Sequence, residues 1–288
     1  MMTTRCEICD EDIRSGLTFW HRICPRCGLE TSTLEPHIKN NHLGARLDED
    51  ARQQGLSAIR QIGRRRLIAE LGRLRGRGRQ GALLEVGSAH GWFLEEVAPL
   101  FERIVGVEPD DGVRRDPCQQ QIEVRAGFFP QAIKKGERFD VVVFNDVFEH
   151  IPSASTVARA VHGMLNTGGL CVVNLPMASG FLYRASKILC RLGVAGPFNR
   201  MWQKDFPSPH VYYFSHATIL AIFERSGFVL ENDVAIPTLS KTGLWSRIMY
   251  AERRPLFGMI YYFLAILIAP ALSILPRDVR CIYMRKID

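Results

Sequence analysis

The chain has 288 residues, of which 47% are hydrophobic, and a formal net charge of +7. This composition supports a sizeable core and excludes a wholly disordered chain. The opening residues, MMTTRCEICD, contain no apolar segment of the kind that a secretory signal needs, so we expect a cytoplasmic protein. The eight cysteines form two C-x-x-C pairs and four scattered positions. This pattern is typical of a metal site in a reducing compartment and not of a disulfide framework.

Both cysteine pairs lie within residues 1–45: Cys6, Cys9, Cys24 and Cys27. Four thiolates at this spacing can bind one tetrahedral zinc ion, which then folds a segment too short to bury its own core. We predict a structural zinc ribbon, because four cysteines leave no coordination position open for water. Redox-active or unpaired cysteines are the alternative. His21, His37 and His42 are candidate additional ligands, but surface or loop histidines are the simpler interpretation.

Residues 46–80 predict a basic helix followed by a linker. Apolar residues recur at mostly helical spacing from Leu56 to Leu74, and Gly76 and Gly78 end the pattern. The other face is rich in arginine: Arg60, Arg64, Arg65, Arg66, Arg73, Arg75, Arg77 and Arg79. Binding to nucleic acid or to an anionic membrane is one interpretation. A solvated helix face that covers the ligand-binding turn is the other, because no aromatic residues of the kind that stack on bases are interleaved.

From residue 82 the pattern alternates between strands and helices. The strands read ALLEVG, RIVGVEP, IEVRAGF, FDVVVFND and GLCVVNLP, with helices predicted at 92–101, 112–116, 130–135 and 155–165. A helix at 216–226, a sixth strand and a final strand at 279–287 follow. Strands rich in valine and isoleucine that alternate with helices predict a parallel sheet covered on both faces. Ligands of such sheets bind at the carboxyl ends of the strands.

A glycine turn follows the first of these strands. The dinucleotide-binding turn requires G-x-G-x-x-G, whereas here Gly87-x-Ala89-x-Gly91 is followed by Trp92. This spacing disfavours an NAD-dependent enzyme. Glu85 precedes the turn, where a carboxylate can pair with an amino group but would repel a pyrophosphate. Alanine in place of a glycine at position 89 is tolerable in this turn if its φ is negative.

A second acidic residue, Glu108, ends the next strand about twenty residues on, where a carboxylate can accept hydrogen bonds from both hydroxyls of a ribose.

These motifs together resemble the class I S-adenosylmethionine-dependent methyltransferases. The matching segments are E-x-G-x-x-x-G at 85–91, the acidic strand end at 108, FDVVVFNDVFEHIP at 139–152, LNTGGLCVVNLP at 165–176 and PHVYYFSHATILAIFERSGF at 209–228. More narrowly, the chain is similar to a ubiquinone-biosynthesis-like branch with an N-terminal zinc ribbon. The resemblance implies an α/β, Rossmann-like, seven-stranded and mostly parallel sheet preceded by the small ribbon. It also implies S-adenosyl-L-methionine as cofactor.

The resemblance further implies roles for individual residues. Those expected at the methionine end of the cofactor are Glu85, Gly87, Ser88, Ala89 and Gly91. Glu108 would bind the ribose, Gly127 and Phe128 would flank the adenine, and Asn145 would lie beneath the sulfonium. The expected organisation is a ribbon at 1–45, the helix and linker at 46–80, and a methyltransferase domain at 81–288. That domain carries insertions at about 181–204 and 253–278.

Candidate catalytic residues follow the fourth strand of the sheet. Asp146, Glu149 and His150 share one face if the chain there is helical. His150 is then a candidate base for a hydroxyl acceptor. Relatives in the resembling branch use a matching set to hold a divalent metal, so all three can also form a metal site. Structural roles for Glu149 and His150 remain the alternative. His210, with Tyr212 and Tyr213, is a second candidate group.

Both insertions leave the sheet at the edge that carries the cofactor. Residues 181–204 are apolar and basic together, and 255–276 contain no charged residue. A single crossing would separate strands of one sheet, so we predict an interfacial helix, with Arg253, Arg254, Arg277 and Arg280 at the headgroups. Packing as a lid or dimer contact is the alternative. We therefore expect O-methylation of a small-molecule, lipid-linked or glycan acceptor near a membrane.

The competing hypothesis is a nucleic-acid-binding or RNA-modifying protein that uses the ribbon and the arginine helix. We consider nucleic acid the weaker prediction, because NDVFEH stands where an RNA- or DNA-base methyltransferase would carry an NPPY-like motif.

Overall fold

The computed structural model describes residues 5–36, 49–76, 81–114, 121–236 and 275–287, with isolated helical residues between 244 and 267. Side chains of the first long helix are described from residue 61 onward. Several positions of the sequence analysis lie outside these residues: His37, His42, Arg77, Gly78, Arg79, Arg253, Arg254 and most of the insertion at 253–278.

The larger of two sheets has seven strands in the order β10-β11-β8-β7-β4-β5-β6. Its strands are β4 (Ala82–Val86), β5 (Arg103–Glu108), β6 (Ile122–Ala126), β7 (Phe139–Asn145), β8 (Leu165–Pro176), β10 (Phe228–Ile236) and β11 (Val279–Lys286). The pairs from β6 to β8 are parallel, and β11 runs antiparallel to both β8 and β10. The predicted Rossmann-like, mostly parallel sheet is therefore confirmed, including a sixth strand parallel to β8.

The smaller sheet joins the N-terminal ribbon to the rest of the chain. Its order is β1 (Arg14–Ser15), β2 (His21–Ile23), β3 (Glu30–Ser32) and β9 (Tyr212–Tyr213). Neighbouring strands pair antiparallel, so β3 of the ribbon lies directly beside β9. The ribbon thus shares a sheet with a segment nearly two hundred residues away in sequence, which the sequence analysis did not predict.

The helices are α1 (Glu49–Arg75), α2 (Trp92–Val97), α3 (Ala154–Met164), α4 (Phe181–Arg191), α5 (Gly196–Met201) and α6 (His216–Glu224). The predicted helix at 92–101 ends early and continues as a 3-10 turn at Ala98–Leu100, because Pro99 has no N–H to donate. The predicted helix at 130–135 is wrong, and so is that at 112–116 as far as residue 114. Turns occupy both segments, which are too short to repay helix nucleation.

Two apolar layers cover the faces of the larger sheet. Leu67 and Leu71 of α1 are buried together with Phe93 and Leu94 of α2 on one face. On the other face α3 and α6 share a cluster with four ribbon residues: Cys6, Ile8, Cys24 and Leu29. Because Leu71 is completely buried, α1 packs as part of the core that supports the glycine turn.

The insertion at 181–204 contains α4 and α5, and both follow the carboxyl end of β8. Within the described part of the chain, no helix combines the length and apolar character that a membrane crossing needs.

Candidate functional site

The glycine turn between β4 and α2 is held against β5 by its backbone. The N–H groups of Gly87 and Ser88 both donate to the Val107 carbonyl, at 2.8 and 3.1 Å. Gly87 has a φ of +75°, and a Cβ at this position would lie 2.5 Å from Val147 Cγ2. Glycine is therefore required here by both conformation and space. The turn leaves the first N–H groups of α2 directed towards the carboxyl edge of the sheet.

Ala89 does not have the negative φ at which an alanine would be tolerated in this turn. Its φ is +44°, in the left-handed region. An L-residue with a Cβ is strained in this region, by about 1–2 kcal/mol. The Ala89 N–H compensates by donating to Glu108 Oε2 at 2.9 Å. The turn thus accepts a strained alanine because its amide is fixed by the acid at the end of β5.

Glu108 also accepts a hydrogen bond from the loop that follows it. Its Oε1 accepts from the Asp110 N–H at 2.9 Å, so each carboxylate oxygen has one backbone donor. Burial raises the pKa of Glu108, although the two N–H donors oppose this. Each oxygen keeps a second lone pair. The carboxylate is therefore fixed in a position from which it can accept hydrogen bonds from a diol.

Glu85, at the same edge, has an unsatisfied carboxylate oxygen. Its side chain is buried, and its Oε2 has no hydrogen-bond partner among the described residues. Burial raises the pKa of Glu85 well above its usual range, against the attraction of Arg64 and with the repulsion of Glu108. A buried carboxylate without a partner fits a cationic ligand group, which would supply the missing donor.

Arg64 of α1 lies beside the turn. Its guanidinium donates to Glu96 Oε1 at 2.8 and 3.0 Å and stands 5.8 Å from the centre of the Trp92 ring. Arg64, which the sequence analysis assigned to a basic surface, is thus paired with residues of α2. Arg73 is likewise paired with Glu70. These contacts favour the interpretation of α1 as a cover of the turn.

The far side of the edge carries the residues expected near the adenine and the sulfonium. Phe128 is 43% exposed and follows Gly127, whose φ is +129°. At the end of β7, Asn145 Oδ1 accepts from Asn174 Nδ2 at 2.8 Å. Sequence reasoning missed Asn174, although a polar residue at the end of an apolar strand was a usable signal. Together with Glu85 and Glu108, these residues fit a ligand that has a cationic amine, a ribose and an aromatic base.

A second group forms where β7 ends, and it differs from the predicted one. The ligand atoms of Glu149, His150 and His210 all lie within 4.8 Å of one another. Asp146 is not in this group. Its φ is +57°, its side chain accepts a hydrogen bond from Asn174, and the chain then makes only a single 3-10 turn at Phe148–His150. The third member of the group is instead His210, which the sequence analysis placed in a separate candidate group.

The two histidine rings are in contact, with centroids 4.6 Å apart. The Nε2 atom of each lies 4.0 Å from Glu149 Oε1. His150 Nδ1 is 3.0 Å from the Pro209 carbonyl, and this acceptor assigns the proton to Nδ1 and leaves Nε2 basic. His210 Nε2 is 3.0 Å from Gln203 Nε2, a contact that sequence reasoning missed.

The electrostatics of this group follow from burial. Burial, with the charge of Asp146, raises the pKa of Glu149 well above its usual range. Burial, with the charge of His150, lowers the pKa of His210 well below its usual range. Burial therefore favours the uncharged forms of both His210 and Glu149. Such a group can accept a proton at one nitrogen, and its one oxygen and two nitrogen ligands can also hold a divalent ion.

Tyr212 and Tyr213 follow His210 in the chain and make packing and hydrogen-bond contacts next to the histidine pair. The Tyr212 hydroxyl accepts from the Ser153 N–H at 3.1 Å, and Tyr213 stacks on Tyr183 with ring centroids 3.8 Å apart. Both tyrosines are buried. These contacts give them structural roles behind the histidine pair.

The four cysteines of the ribbon converge on one point. Their Sγ atoms lie within 4.8 Å of one another, with 3.5 Å between Cys6 and Cys27 and 3.4 Å between Cys9 and Cys24. Four sulfurs at ~2.3 Å from a tetrahedral zinc ion would be separated by ~3.8 Å, so the donor set fits zinc. His21 is not among them, because its Nε2 lies 2.9 Å from Glu30 in a buried pair.

Comparison with known proteins gives consistent results. A family model described as a methyltransferase domain matches residues 59–232, more than half of the chain. The chain is 26% identical over 211 residues to a ubiquinone biosynthesis O-methyltransferase of Ruegeria pomeroyi, covering 68% of this chain and 80% of that protein.

Similar folds occur among solved structures. The Burkholderia thailandensis 1,6-didemethyltoxoflavin-N1-methyltransferase, crystallised with S-adenosylhomocysteine, matches with a TM-score of 0.53 and 12% identity, covering 95% of this chain and 99% of that one. Haemonchus contortus phospholethanolamine N-methyltransferase 2 matches with a TM-score of 0.52 and 14% identity, covering 77% of this chain and 52% of that one. At this identity the likeness concerns the fold.

Proposed function

Because the chain belongs to the methyltransferase-domain family and is an S-adenosylmethionine-dependent methyltransferase, we propose that it methylates a hydroxyl group. The observation that carries this proposal is the group of Glu149, His150 and His210, in which Glu149 and His210 are buried and His150 is partly buried. Glu149 and His150 follow β7, beside the cofactor edge. A hydroxyl acceptor must lose a proton as it is methylated, and a neutral histidine is suited to take it. The ubiquinone biosynthesis O-methyltransferases among the relatives support oxygen as the acceptor atom.

The cofactor site proposed here uses the residues of the glycine turn and its neighbours. Glu85 would pair with the amino group of the cofactor, Glu108 would accept hydrogen bonds from the ribose hydroxyls, and Phe128 would pack on the adenine. Ser88 and Asn145 line the same edge at the ends of β4 and β7. S-adenosylmethionine supplies the methyl group when it is bound there. What the protein adds is alignment, exclusion of water and a place for the proton.

In the proposed reaction His150 is the base. Its Nδ1 donates to Pro209, which makes Nε2 the nitrogen that would accept the proton of the acceptor hydroxyl. The positive charge that His150 then carries is stabilised by the Pro209 carbonyl. Because burial keeps His210 uncharged, it does not repel this charge. The same three residues could instead hold a divalent metal, which would act as a Lewis acid on the hydroxyl.

Two further features belong to this proposal. The four cysteines would hold one structural zinc ion, which fits their sulfur geometry. The acceptor would be small, lipid-linked or a glycan, and the enzyme would meet it at a membrane surface. Support for the membrane comes from α4, which follows the cofactor edge. Exposed apolar side chains lie on this helix and directly after it: Leu182, Ile188, Leu189 and Leu192. No observation on the arginine helix favours nucleic acid in the same way.

A labelled-methyl experiment tests the reaction. Full-length enzyme is incubated with S-adenosylmethionine carrying a deuterated methyl group and with lipid, aqueous and RNA extracts of a strain that lacks the gene. We expect a methoxy product in the lipid or aqueous extract, identified by mass spectrometry. Label on nitrogen or carbon would contradict the proposed chemistry, and label in RNA would support the competing hypothesis.

Variants then assign the base. His150→Gln is expected to lower kcat by about 100-fold or more, and Glu149→Gln by less, because burial already favours the uncharged form of Glu149, while S-adenosylhomocysteine binding by calorimetry stays unchanged. His162→Gln is the matched control, because the His162 ring contacts Phe228 at the start of β10 and the Ile287 carbonyl after β11. Addition of Mg²⁺ after treatment with a chelator separates the metal alternative from direct base catalysis. If both variants keep full activity, the group is not the base.

A further inference from the structure

The ribbon makes direct contacts on both sides of the histidine pair. Ser32, at the end of β3, donates its hydroxyl to the His210 carbonyl at 2.6 Å, and its N–H donates to the Val211 carbonyl at 2.9 Å. Ser32 is buried. The β3–β9 pairing continues this contact, with Thr31 opposite Tyr212. One strand of the ribbon thus fixes the backbone that carries His210.

The first cysteine knuckle contacts the other side of the pair. Glu7, between Cys6 and Cys9, accepts from the Ser155 N–H at 2.9 Å in the first turn of α3. The N-cap residue of this helix, Ser153, makes no side-chain cap of its own and has a φ of +60°. A carboxylate at a helix N-terminus satisfies a free donor and complements the helix dipole. The knuckle therefore anchors the helix that begins shortly after His150.

A third contact ties the ribbon to the insertion. Glu30 is buried and accepts from the Tyr183 hydroxyl and from Lys187 Nζ of α4, both at 2.7 Å. The attraction of His21 and Lys187 outweighs burial and lowers the pKa of Glu30. Breaking one partner of such a buried network leaves an uncompensated charge. The ribbon is thus joined to three segments around the candidate acceptor site.

We propose that the ribbon acts as a clamp that sets the separation of His150 and His210, with Ser32 as its positioning residue. Glu7 fixes the segment after His150, Ser32 fixes the backbone of His210, and the four cysteines hold Glu7 and Ser32 on one rigid unit. The ribbon then serves the acceptor side of the enzyme and leaves the glycine turn, on the other side of β7, unaffected. This inference rests on the proposed function for its catalytic consequence, but its structural core does not depend on it.

Ser32 variants test the clamp. Ser32→Ala removes the hydroxyl that bonds His210, whereas Ser32→Thr keeps it. In Ser32→Ala we expect hydrogen exchange of the peptide covering 209–213 to rise about tenfold and kcat to fall about tenfold. We expect S-adenosylhomocysteine binding and the KM for S-adenosylmethionine to stay within twofold. Ser32→Thr should restore both exchange protection and kcat. Ser226→Ala is the control, because it loses a similar hydroxyl-to-carbonyl bond, to Ile222, in a helix end remote from the histidines.

Metal removal provides an independent arm. The full-length protein is treated with a chelator, and loss of zinc is confirmed by mass spectrometry. We expect faster exchange at 209–213 and at the start of α3, with exchange at 87–91 and S-adenosylhomocysteine affinity unchanged. The clamp is overturned if Ser32→Ala or metal removal leaves exchange at 209–213 at the wild-type rate, or if Ser32→Thr behaves like Ser32→Ala. If exchange changes as expected while His150→Gln keeps full activity, the clamp stands and the proposed base is wrong.

Discussion

At the scale of single residues, the cofactor edge carries Glu85, a buried acid whose Oε2 has no hydrogen-bond partner in the part of the chain that the structure describes. The sequence alone identified Glu85 and Glu108 as acids at strand ends, because the period of the strands fixes where the chain leaves the sheet. It did not show that Glu108 is fixed by the Ala89 amide or that Glu85 Oε2 lacks a hydrogen-bond partner among the described residues. Those facts depend on tertiary distances, which a local sequence pattern does not give.

Glu85 gives a pH-dependent prediction. Because burial raises its pKa in the folded state above the ordinary value of 4.5, the folded protein holds this proton more tightly than the unfolded chain. The free energy of unfolding should therefore fall as the pH rises from about 4.5 towards the raised pKa, by up to ~1.4 kcal/mol per pH unit from this group.

Denaturant unfolding of the ligand-free protein between pH 4.5 and 8 measures this effect. Glu85→Gln, which is nearly isosteric, should remove the contribution of Glu85 to the pH dependence of the free energy of unfolding. The difference in this free energy between the variant and the wild type should therefore increase in favour of the variant as the pH rises. The same variant should lower affinity for S-adenosylmethionine in calorimetry. A variant with wild-type slope and wild-type affinity would show that Glu85 is neither charged on unfolding nor used by the cofactor.

The strained alanine gives a second prediction at this scale. Ala89→Gly should relieve the left-handed backbone, but it also makes the unfolded chain more flexible. We expect a net rise of the unfolding free energy of at most ~1 kcal/mol, with cofactor affinity equal or higher. Gly87→Ala is the opposite control, because its new Cβ would collide with Val147. A loss of stability in Ala89→Gly would mean that the alanine is preferred by contacts of its methyl group.

At the scale of elements, the strands and the longer helices were predictable and the short connections were not. Apolar runs such as VVVF at 141–144 and the repeats in α3 and α6 are set by local sequence. The pairing of β3 with β9 and the approach of His210 to His150 depend on tertiary contacts across the chain. Local patterns contain no information about such partners, so the candidate catalytic group was assembled only in part, with Asp146 in the place of His210.

The first long helix illustrates the same limit and gives a prediction. Its arginines suggested a helix and linker outside the methyltransferase domain, whereas Leu71 is completely buried against that domain. Leu71→Ala should lower the free energy of unfolding by about 2–5 kcal/mol. Arg65→Ala, on the exposed face, should change it by less than ~0.5 kcal/mol. Urea unfolding measures both, and a neutral Leu71→Ala would support a helix that is separate from the core.

At the scale of the whole molecule, α4 brings together the ribbon and the exposed apolar residues. Its inner face contacts the ribbon through Tyr183 and Lys187, while Leu192 is 73% exposed and Ile188 is 55% exposed. Arg184 and Arg191 are also exposed on this helix. Apolar side chains flanked by arginine are typical of a helix that lies in the interface of an anionic membrane. This surface would place the cofactor edge next to a lipid-linked acceptor.

Vesicle sedimentation tests this membrane surface. The full-length protein should co-sediment with vesicles that contain anionic lipid, and less with neutral vesicles or at high salt, because charge attraction is screened. The double variant Ile188→Ser and Leu192→Ser should bind at least ~100-fold more weakly, since each large apolar side chain contributes ~1.5 kcal/mol or more on burial. Val229→Ser is the matched control, because Val229 is an exposed apolar residue on β10, away from α4.

Equal sedimentation of the double variant and the wild type would show that α4 does not make the membrane contact. Wild-type protein that stays in the supernatant with anionic vesicles would contradict membrane delivery of the acceptor and leave a freely diffusing one.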